Sequence, residues 1–168
     1  MEKSTEFYPI VFDNEITGDT VKELIKQIEE VDIKNKILLY TTTPGGELVA
    51  CDVLVDYLNK KIDNGLKIEL IGSGEISSSG FIVFCKTRCK KSFINVFSRV
   101  HLGTRQFDYR SSKDKDSVDK FLVAHLDNLN KELMAIYKET GLTDEEIATI
   151  ENGKDLYLSE TRLKEIFK

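Results

Sequence analysis

The sequence predicts an α/β fold with largely parallel strands, and three observations predict it. Short apolar runs rich in β-branched and aromatic residues recur, as in YPIVFDN, KILLYTT and LKIELIGSG. Between them lie segments whose apolar residues repeat at helical spacing. Strand and helix signatures alternate, so helical crossovers join successive strands, and such connections require parallel pairing. With 168 residues and no linker-like stretch, the chain is expected to form a single domain, 1–168, that buries a core without staples.

Each element has its own signal. YPIVFDN reads as the first strand. In TGDTVKELIKQIEEVD, residues Val21, Leu24, Ile25 and Ile28 share one helical face, with Thr17 or Asp19 as the cap. KILLYTT reads as a buried strand, and TPGG breaks it sharply. A second helix follows, with Leu48, Cys51, Val55 and Leu58 on one stripe. LKIELIGSG is a third strand, and after GEISSSG the run FIVFCKTR reads as a buried helix. SFINV and FSRVHLG are two further strands. RQFDYRSSKDKDS is polar and charged, a loop or an irregular arm.

The longest helix signal runs through DSVDKFLVAHLDNLNKELMAIYKETG. Val118, Leu122, His125 or Leu126, Leu129, Leu133 and Ile136 keep helical spacing, and Gly141 ends it. This helix over 117–140 carries a wide apolar stripe that needs a partner surface. Thr143 and Glu146 form a capping box for the next helix. DLYLS is a last short strand, and Ser159 caps the terminal helix ETRLKEIFK.

Composition excludes several classes. The chain is 40% hydrophobic and 32% charged, and no segment approaches the ~20 apolar residues a membrane span needs. MEKSTEFYPIVF has no positive region followed by an apolar core, so no secretory signal is expected. The net charge of −5 disfavours nucleic-acid binding. The basic cluster of Lys86, Arg88, Lys90 and Lys91 is expected to be a solvated turn. Three cysteines, Cys51, Cys85 and Cys89, argue for reduced thiols and a cytoplasmic setting. Cys85 and Cys89 would share a helix face. With only His101 and His125 as further soft ligands, the expectation is buried thiols, no metal and no cofactor.

The stretch GEISSSGFIVF raises the chemical question. Three serines stand at the mouth of a buried helix, directly after a buried strand. They either cap that helix or one of them reacts. Gly-x-Ser-x-Gly is not met by any of the three, and no phosphate-cradling loop or dinucleotide fingerprint is present. A serine at a helix start just past a strand end has unpaired backbone N–H groups beside it, which can bind a developing oxyanion. Its hydroxyl still needs a base and an orienting group. His125 falls within the long helix near its apolar face, which suits a structural role. His101 ends an apolar strand, where a side chain can project from a sheet edge. Composition alone does not pick the orienting acid from 29 carboxylates.

A family resemblance adds the missing constraint. LLYTTTPGGELVACDVLVDYL is similar to the strand–Pro-Gly-Gly–helix segment of the Clp protease proteolytic subunit family. GEISSSG fits that family's Gly-x-x-x-Ser-x-Gly nucleophile motif, with the nucleophile at Ser78. SRVHLG resembles the strand that delivers its catalytic histidine, here His101. KELMAIYKETG resembles the end of its long handle helix, and DLYLS matches the segment opening with the catalytic aspartate, here Asp155. The match runs in order from about Tyr8 to Lys168.

The resemblance implies a ClpP/crotonase-like spiral of ββα units with a protruding handle helix. It implies a serine endopeptidase acting on peptides or unfolded proteins, with a Ser78–His101–Asp155 triad and the backbone N–H groups of Gly46 and Ser79 as oxyanion donors. It also implies a homo-oligomeric ring, commonly a heptamer stacked in pairs. The chain departs from the family in four places. About seven residues precede the first strand, too few for the axial hairpin used with a Clp-type ATPase, which leaves such a partner possible but its docking in doubt. LGTRQFDYRSSKDKD replaces a Gly-rich substrate-binding strand. Lys168 ends the chain where the family continues into another strand. Ser79 replaces a larger residue beside the nucleophile. A second reading follows from these departures: a non-proteolytic subunit that co-assembles with another Clp ring and alters it. A third, crotonase-type chemistry on acyl thioesters, has no coenzyme A signature behind it.

Overall fold

The computed structural model describes residues 6–103 and 115–168, with the backbone alone for 115–119. In chain order the elements are β1 (Phe7–Asp13), α1 (Gly18–Glu29), β2 (Lys36–Thr43), α2 (Leu48–Asp63), β3 (Lys67–Ile76), α3 (Ser79–Lys86), β4 (Lys90–Val100), α4 (Lys115–Glu139), α5 (Asp144–Glu151), β5 (Leu156–Ser159) and α6 (Glu160–Ile166). The chain divides into two compact units, Met1–Val100 with Tyr157–Lys168, and His101–Leu156.

In the first unit the expected alternation is present. The sheet order is β1-β2-β3-β4-β5, and β1 through β4 pair parallel. Register follows from burial. Ile10, Leu39 and Leu70 lie side by side across three strands and are all nearly inaccessible. A slip of one residue would turn each of them outward. β2 alternates buried and half-buried positions, so it is not buried on both faces as its apolar run suggests. Above the sheet, α1 packs on α2 and α2 on α3. Thr17, not Asp19, caps α1: its hydroxyl accepts the Thr20 amide, and the Thr20 hydroxyl accepts the Thr17 amide. Phe167, just past α6, sets its ring within 5.5–6.4 Å of those of Phe81, Phe84 and Phe93, tying the end of the chain to α3 and β4.

Two expected strands, SFINV and FSRVHLG, are one strand of 11 residues. Asn95 adopts φ 47° and adds one residue to the pairing, so Ser73 faces Ile94 while Gly74 faces Val96. The Asn95 amide, turned out of the ladder, donates to the Glu160 carboxylate at 2.7 Å. The chain therefore bends without ending. β3 does the same against β2, where pairing shifts between Thr41 and Thr43 and Gly74 has φ 67°. The stretches beyond these shifts give β3 and β4 a second, short run of pairing near their C-terminal ends.

One charge is buried on this sheet. Glu69 accepts from Lys36 and from the Ser92 hydroxyl at 2.6 Å, with Lys90 at 3.1 Å. Burial alone would push its carboxyl up; the bonds from Lys36, Ser92 and Lys90 outweigh that and hold it at about 2. The neighbouring basic side chains are exposed or half-buried and make surface ion pairs. Lys86 pairs with Asp52 and Arg88 with Asp63, and Lys91 donates to the Thr87 carbonyl.

In the second unit, α4 buries Leu133 and Tyr137, while Leu122, Leu126 and Leu129 are half-buried. The stripe passes through Leu126. Of the two alternatives at this turn it is thus Leu126 that lies on the stripe; His125 sits beside it, exposed, with its ring stacked on Phe121 at 6.2 Å. The Val118 side chain lies outside the described residues. Gly141, at φ 81°, follows the helix end, and the Thr143–Glu146 capping box opens α5 as its spacing predicts. Of the irregular arm, residues 105–114 lie outside the described residues. No helix among the described residues is long and apolar enough to cross a membrane.

Because the Glu69 carboxyl is held below its unfolded value of 4.5, its contribution to stability is complete above that pH and is lost as pH falls towards 2. Thermal unfolding of the wild type is expected to drop steeply between about pH 4.5 and 2, and Glu69→Gln should flatten that slope. Parallel slopes for the two proteins would refute this account of Glu69.

Candidate active site

The site is built where β2 and β3 end. Thr43 closes β2, and its carbonyl accepts the Ser77 amide at 2.9 Å. Pro44-Gly45-Gly46 then turns the chain away. Gly45 and Gly46 have φ of 107° and 147°, and neither could carry a side chain. A Cβ on Gly45 would stand 2.6 Å from the Ser78 Cβ, and one on Gly46 would stand 2.2 Å from the Ile16 carbonyl oxygen. Ile16 bridges this turn: its amide donates to the Gly45 carbonyl at 2.7 Å and its carbonyl accepts the Glu47 amide at 2.8 Å. In such a parallel bridge the middle residue's own N–H faces away from its partner. Gly46 is that residue.

The three serines have separate fates. The Ser77 hydroxyl, fully buried, accepts the Arg99 amide at 2.9 Å and so locks α3 to β4. The Ser78 amide donates back to the Arg99 carbonyl at 2.8 Å. Ser78 itself has φ 53° and ψ −125°, a conformation that costs a non-glycine residue roughly 1–3 kcal/mol. It is half-buried, and its hydroxyl makes no capping bond to α3. The Ser79 side chain is buried, with no hydrogen-bond partner among the described residues. Three capping hydroxyls, one of the two sequence readings, is therefore not what is found. Gly80 completes the motif for a packing reason: a Cβ there would lie 2.5 Å from the Thr43 methyl. Among the described residues, the amides of Gly46 and Ser79 make no hydrogen bond.

The first unit thus brings Ser78, Ser79 and the Gly45–Gly46 turn together. His101 and Asp155 belong to the second unit. His101 directly follows β4 and is half-buried, with Nδ1 2.6 Å from the Leu102 carbonyl oxygen. Its own carbonyl accepts from the Tyr137 hydroxyl at 3.1 Å, and the Gly103 amide donates to Asn130 Oδ1 at 2.8 Å. Asp155 is exposed, in the turn between α5 and β5. Thr43, Tyr137 and Asn130 are supporting residues with no advance signal in the sequence.

The thiols are not competing nucleophiles. Burial pushes Cys51 up to about 12 and raises Cys85 and Cys89 as well. Cys51 donates to the Ser79 carbonyl at 3.3 Å. Cys85 and Cys89 do not share a helix face, because α3 ends at Lys86. Among the described residues no group of three or more His, Cys, Asp or Glu side chains is arranged to hold a metal ion.

No family model matches the chain, and no curated protein matches it. Among solved structures it is similar to a point variant of ClpP1 from Listeria monocytogenes, at a TM-score of 0.69 and 16% identity, over 95% of this chain and 86% of that one. The fold is ClpP-like.

The left-handed backbone at Ser78 makes a test independent of chemistry. Both Ser78→Ala and Ser78→Gly delete the hydroxyl, but only glycine is at ease at φ 53°. Ser78→Gly is expected to be more stable than Ser78→Ala by about 1 kcal/mol in denaturant melts. Equal stabilities would show that the backbone there is unstrained.

Proposed function

We propose that this protein is a serine endopeptidase of the Clp proteolytic subunit type, with Ser78 as nucleophile. The observation that carries the reading is the Ser78 backbone. A serine held at φ 53° on a strand-to-helix turn, with its hydroxyl excluded from capping, has the geometry of an exposed nucleophile. Strain of this kind persists only where the surroundings impose it, and it concentrates at functional sites. The ClpP-like fold and the ordered motifs of the sequence support the same assignment.

In this reading the Ser78 hydroxyl attacks the peptide carbonyl carbon. His101 accepts its proton through Nε2 and passes it to the leaving amine as the C–N bond breaks. Water, deprotonated by the same imidazole, then hydrolyses the acyl ester and restores Ser78. Asp155 stabilises the imidazolium. The Gly46 and Ser79 amides donate to the oxyanion, and their lack of other partners among the described residues supports that role. His101 follows β4 directly in sequence, and Arg99 of that strand accepts the Ser78 amide. The substrate class is peptide or unfolded protein. A homo-oligomeric ring is part of the proposal, supported by the fold and by the exposed apolar residues Phe121 and Val123 on α4. Unpaired cysteines favour a cytoplasmic setting.

A fluorophosphonate probe tests the assignment. Wild-type protein is expected to take one label, mapped to Ser78 by mass spectrometry. Ser78→Ala should take none, and His101→Ala should react slower by roughly 10³ or more. Absence of label at Ser78 in every oligomeric state of the wild type would overturn the peptidase reading.

A further inference from the structure

We infer that Asn130 of α4 is a positioning residue that sets the tautomer and ring orientation of His101 through the Leu102–Gly103 peptide. The inference rests on His101 being the base of the proposed reaction. Its geometry lies wholly within the second unit and does not depend on where Ser78 stands.

The chain of contacts is short. Asn130 Oδ1 accepts the Gly103 N–H at 2.8 Å. That N–H and the Leu102 carbonyl belong to one planar trans peptide, so they point in opposite directions and fixing one fixes the other. The Leu102 carbonyl oxygen lies 2.6 Å from His101 Nδ1. A carbonyl oxygen only accepts, so Nδ1 carries the proton. In the neutral ring Nε2 is then left with its lone pair, which is the form a general base needs. Tyr137, two turns further along α4, holds the preceding peptide plane through the His101 carbonyl. Two successive planes after the imidazole are therefore pinned to one helix.

Gly103 approaches α4 so closely that a Cβ there would meet Asn130 Oδ1 and Leu129 Cδ2, both at 3.3 Å. Leu102 and Asn130 also line a cavity of about 580 Å³ on this side of α4. Without the Asn130 acceptor the 102–103 peptide loses the bond that fixes its plane, and with it the hold on the Leu102 carbonyl at Nδ1. Asn130 thus acts on the imidazole at one remove, and its role is orientation rather than contact with substrate.

The test reads the imidazole directly. Long-range ¹H–¹⁵N spectra of the full chain, assigned with a His125→Gln variant, report the tautomer of His101. Wild type is expected to show the Nδ1–H form. Asn130→Ala should shift His101 towards the Nε2–H form, and Asn130→Asp, which keeps the acceptor oxygen, should restore Nδ1–H. Tyr137→Phe keeps a ring in the same buried slot and should shift His101 in the same direction as Asn130→Ala. It serves as the second variant if Asn130→Ala fails to fold. Phosphonylation of Ser78 should slow by roughly 10² in Asn130→Ala and recover in Asn130→Asp. An unchanged tautomer in both Asn130→Ala and Tyr137→Phe, or an Nε2–H form in wild type, would overturn the inference. If wild type fails to label while the tautomer responds as described, the peptidase reading falls and the positioning of His101 stands.

Discussion

The hydrogen bond from the Ser77 amide to the Thr43 carbonyl is the contact on which the candidate site depends. It fixes the end of β3 against the end of β2, and everything at the serine turn is fitted around Thr43. The Thr43 hydroxyl takes the Gly45 amide at 3.1 Å, so the glycine turn starts from the same residue. Its methyl fills the space a Gly80 side chain would need. With Gly45 pressed on Ser78 from one side and Gly80 pressed on Thr43 from the other, the backbone between them passes through φ 53° at Ser78. The strain there is a consequence of two close approaches, each made possible by a missing Cβ. It is maintained by the parallel register of β2 and β3, which the buried row of Ile10, Leu39 and Leu70 enforces.

In the second unit one helix has two jobs. The C-terminal part of α4 buries Leu133 and Tyr137 and holds the His101–Gly103 backbone through Tyr137 and Asn130. Its N-terminal part leaves Phe121 and Val123 exposed. Charge in this protein is spent on holding loops and strands rather than on the candidate site. Lys86, Arg88 and Lys90 each face a carboxylate, and Glu69, the one buried acid among the described residues, is answered by two lysines and a hydroxyl.

What was legible in the sequence is what depends on local pattern. Helical periodicity located α1, α2 and α4, and the Thr143–Glu146 and Ser159 caps sit where their spacing puts them. The alternation of elements gave the parallel sheet. What was not legible depends on partners far along the chain. The bend in β4 arises at Asn95, a residue type that breaks strands in a pattern count; that the strand continues through it depends on Glu160, 65 residues away, which takes its amide. Positions 125 and 126 are adjacent in any pattern count, and only packing shows that Leu126 lies on the stripe and His125 beside it. At the candidate site the serine motif and the glycine turn could be read, because both rest on residue types that tolerate few alternatives. The acceptors that hold them could not. Thr43 is one threonine in a run of three, and Asn130 is one polar residue on the flank of a long helix.

Among the described residues, the four N-caps that carry a hydroxyl show why Ser78 stands apart. Thr17, Thr143 and Ser159 have extended backbones, with φ of −129°, −72° and −76° and ψ near 165°, and each hydroxyl accepts an amide from the first turn of its helix. That is the arrangement an N-cap serine or threonine adopts when nothing prevents it. Ser78 occupies the same position on α3 with φ 53° and ψ −125°, and makes no such bond. The side-chain chemistry is shared; the backbone differs. Rotating the Ser78 Cα–Cβ vector out of the extended region carries the hydroxyl away from the helix amides. The start of α3 is instead tied by the Ser77 carbonyl, which takes the Gly80 amide at 2.8 Å. This leaves the Ser79 N–H without a side-chain acceptor and the Ser78 hydroxyl without a donor to cap. A fold that needed only a stable helix start would have placed Ser78 as it places Thr143. The cost of not doing so, on the order of a kcal/mol or more, falls on a residue whose hydroxyl makes no capping bond and stands beside an amide with no partner among the described residues.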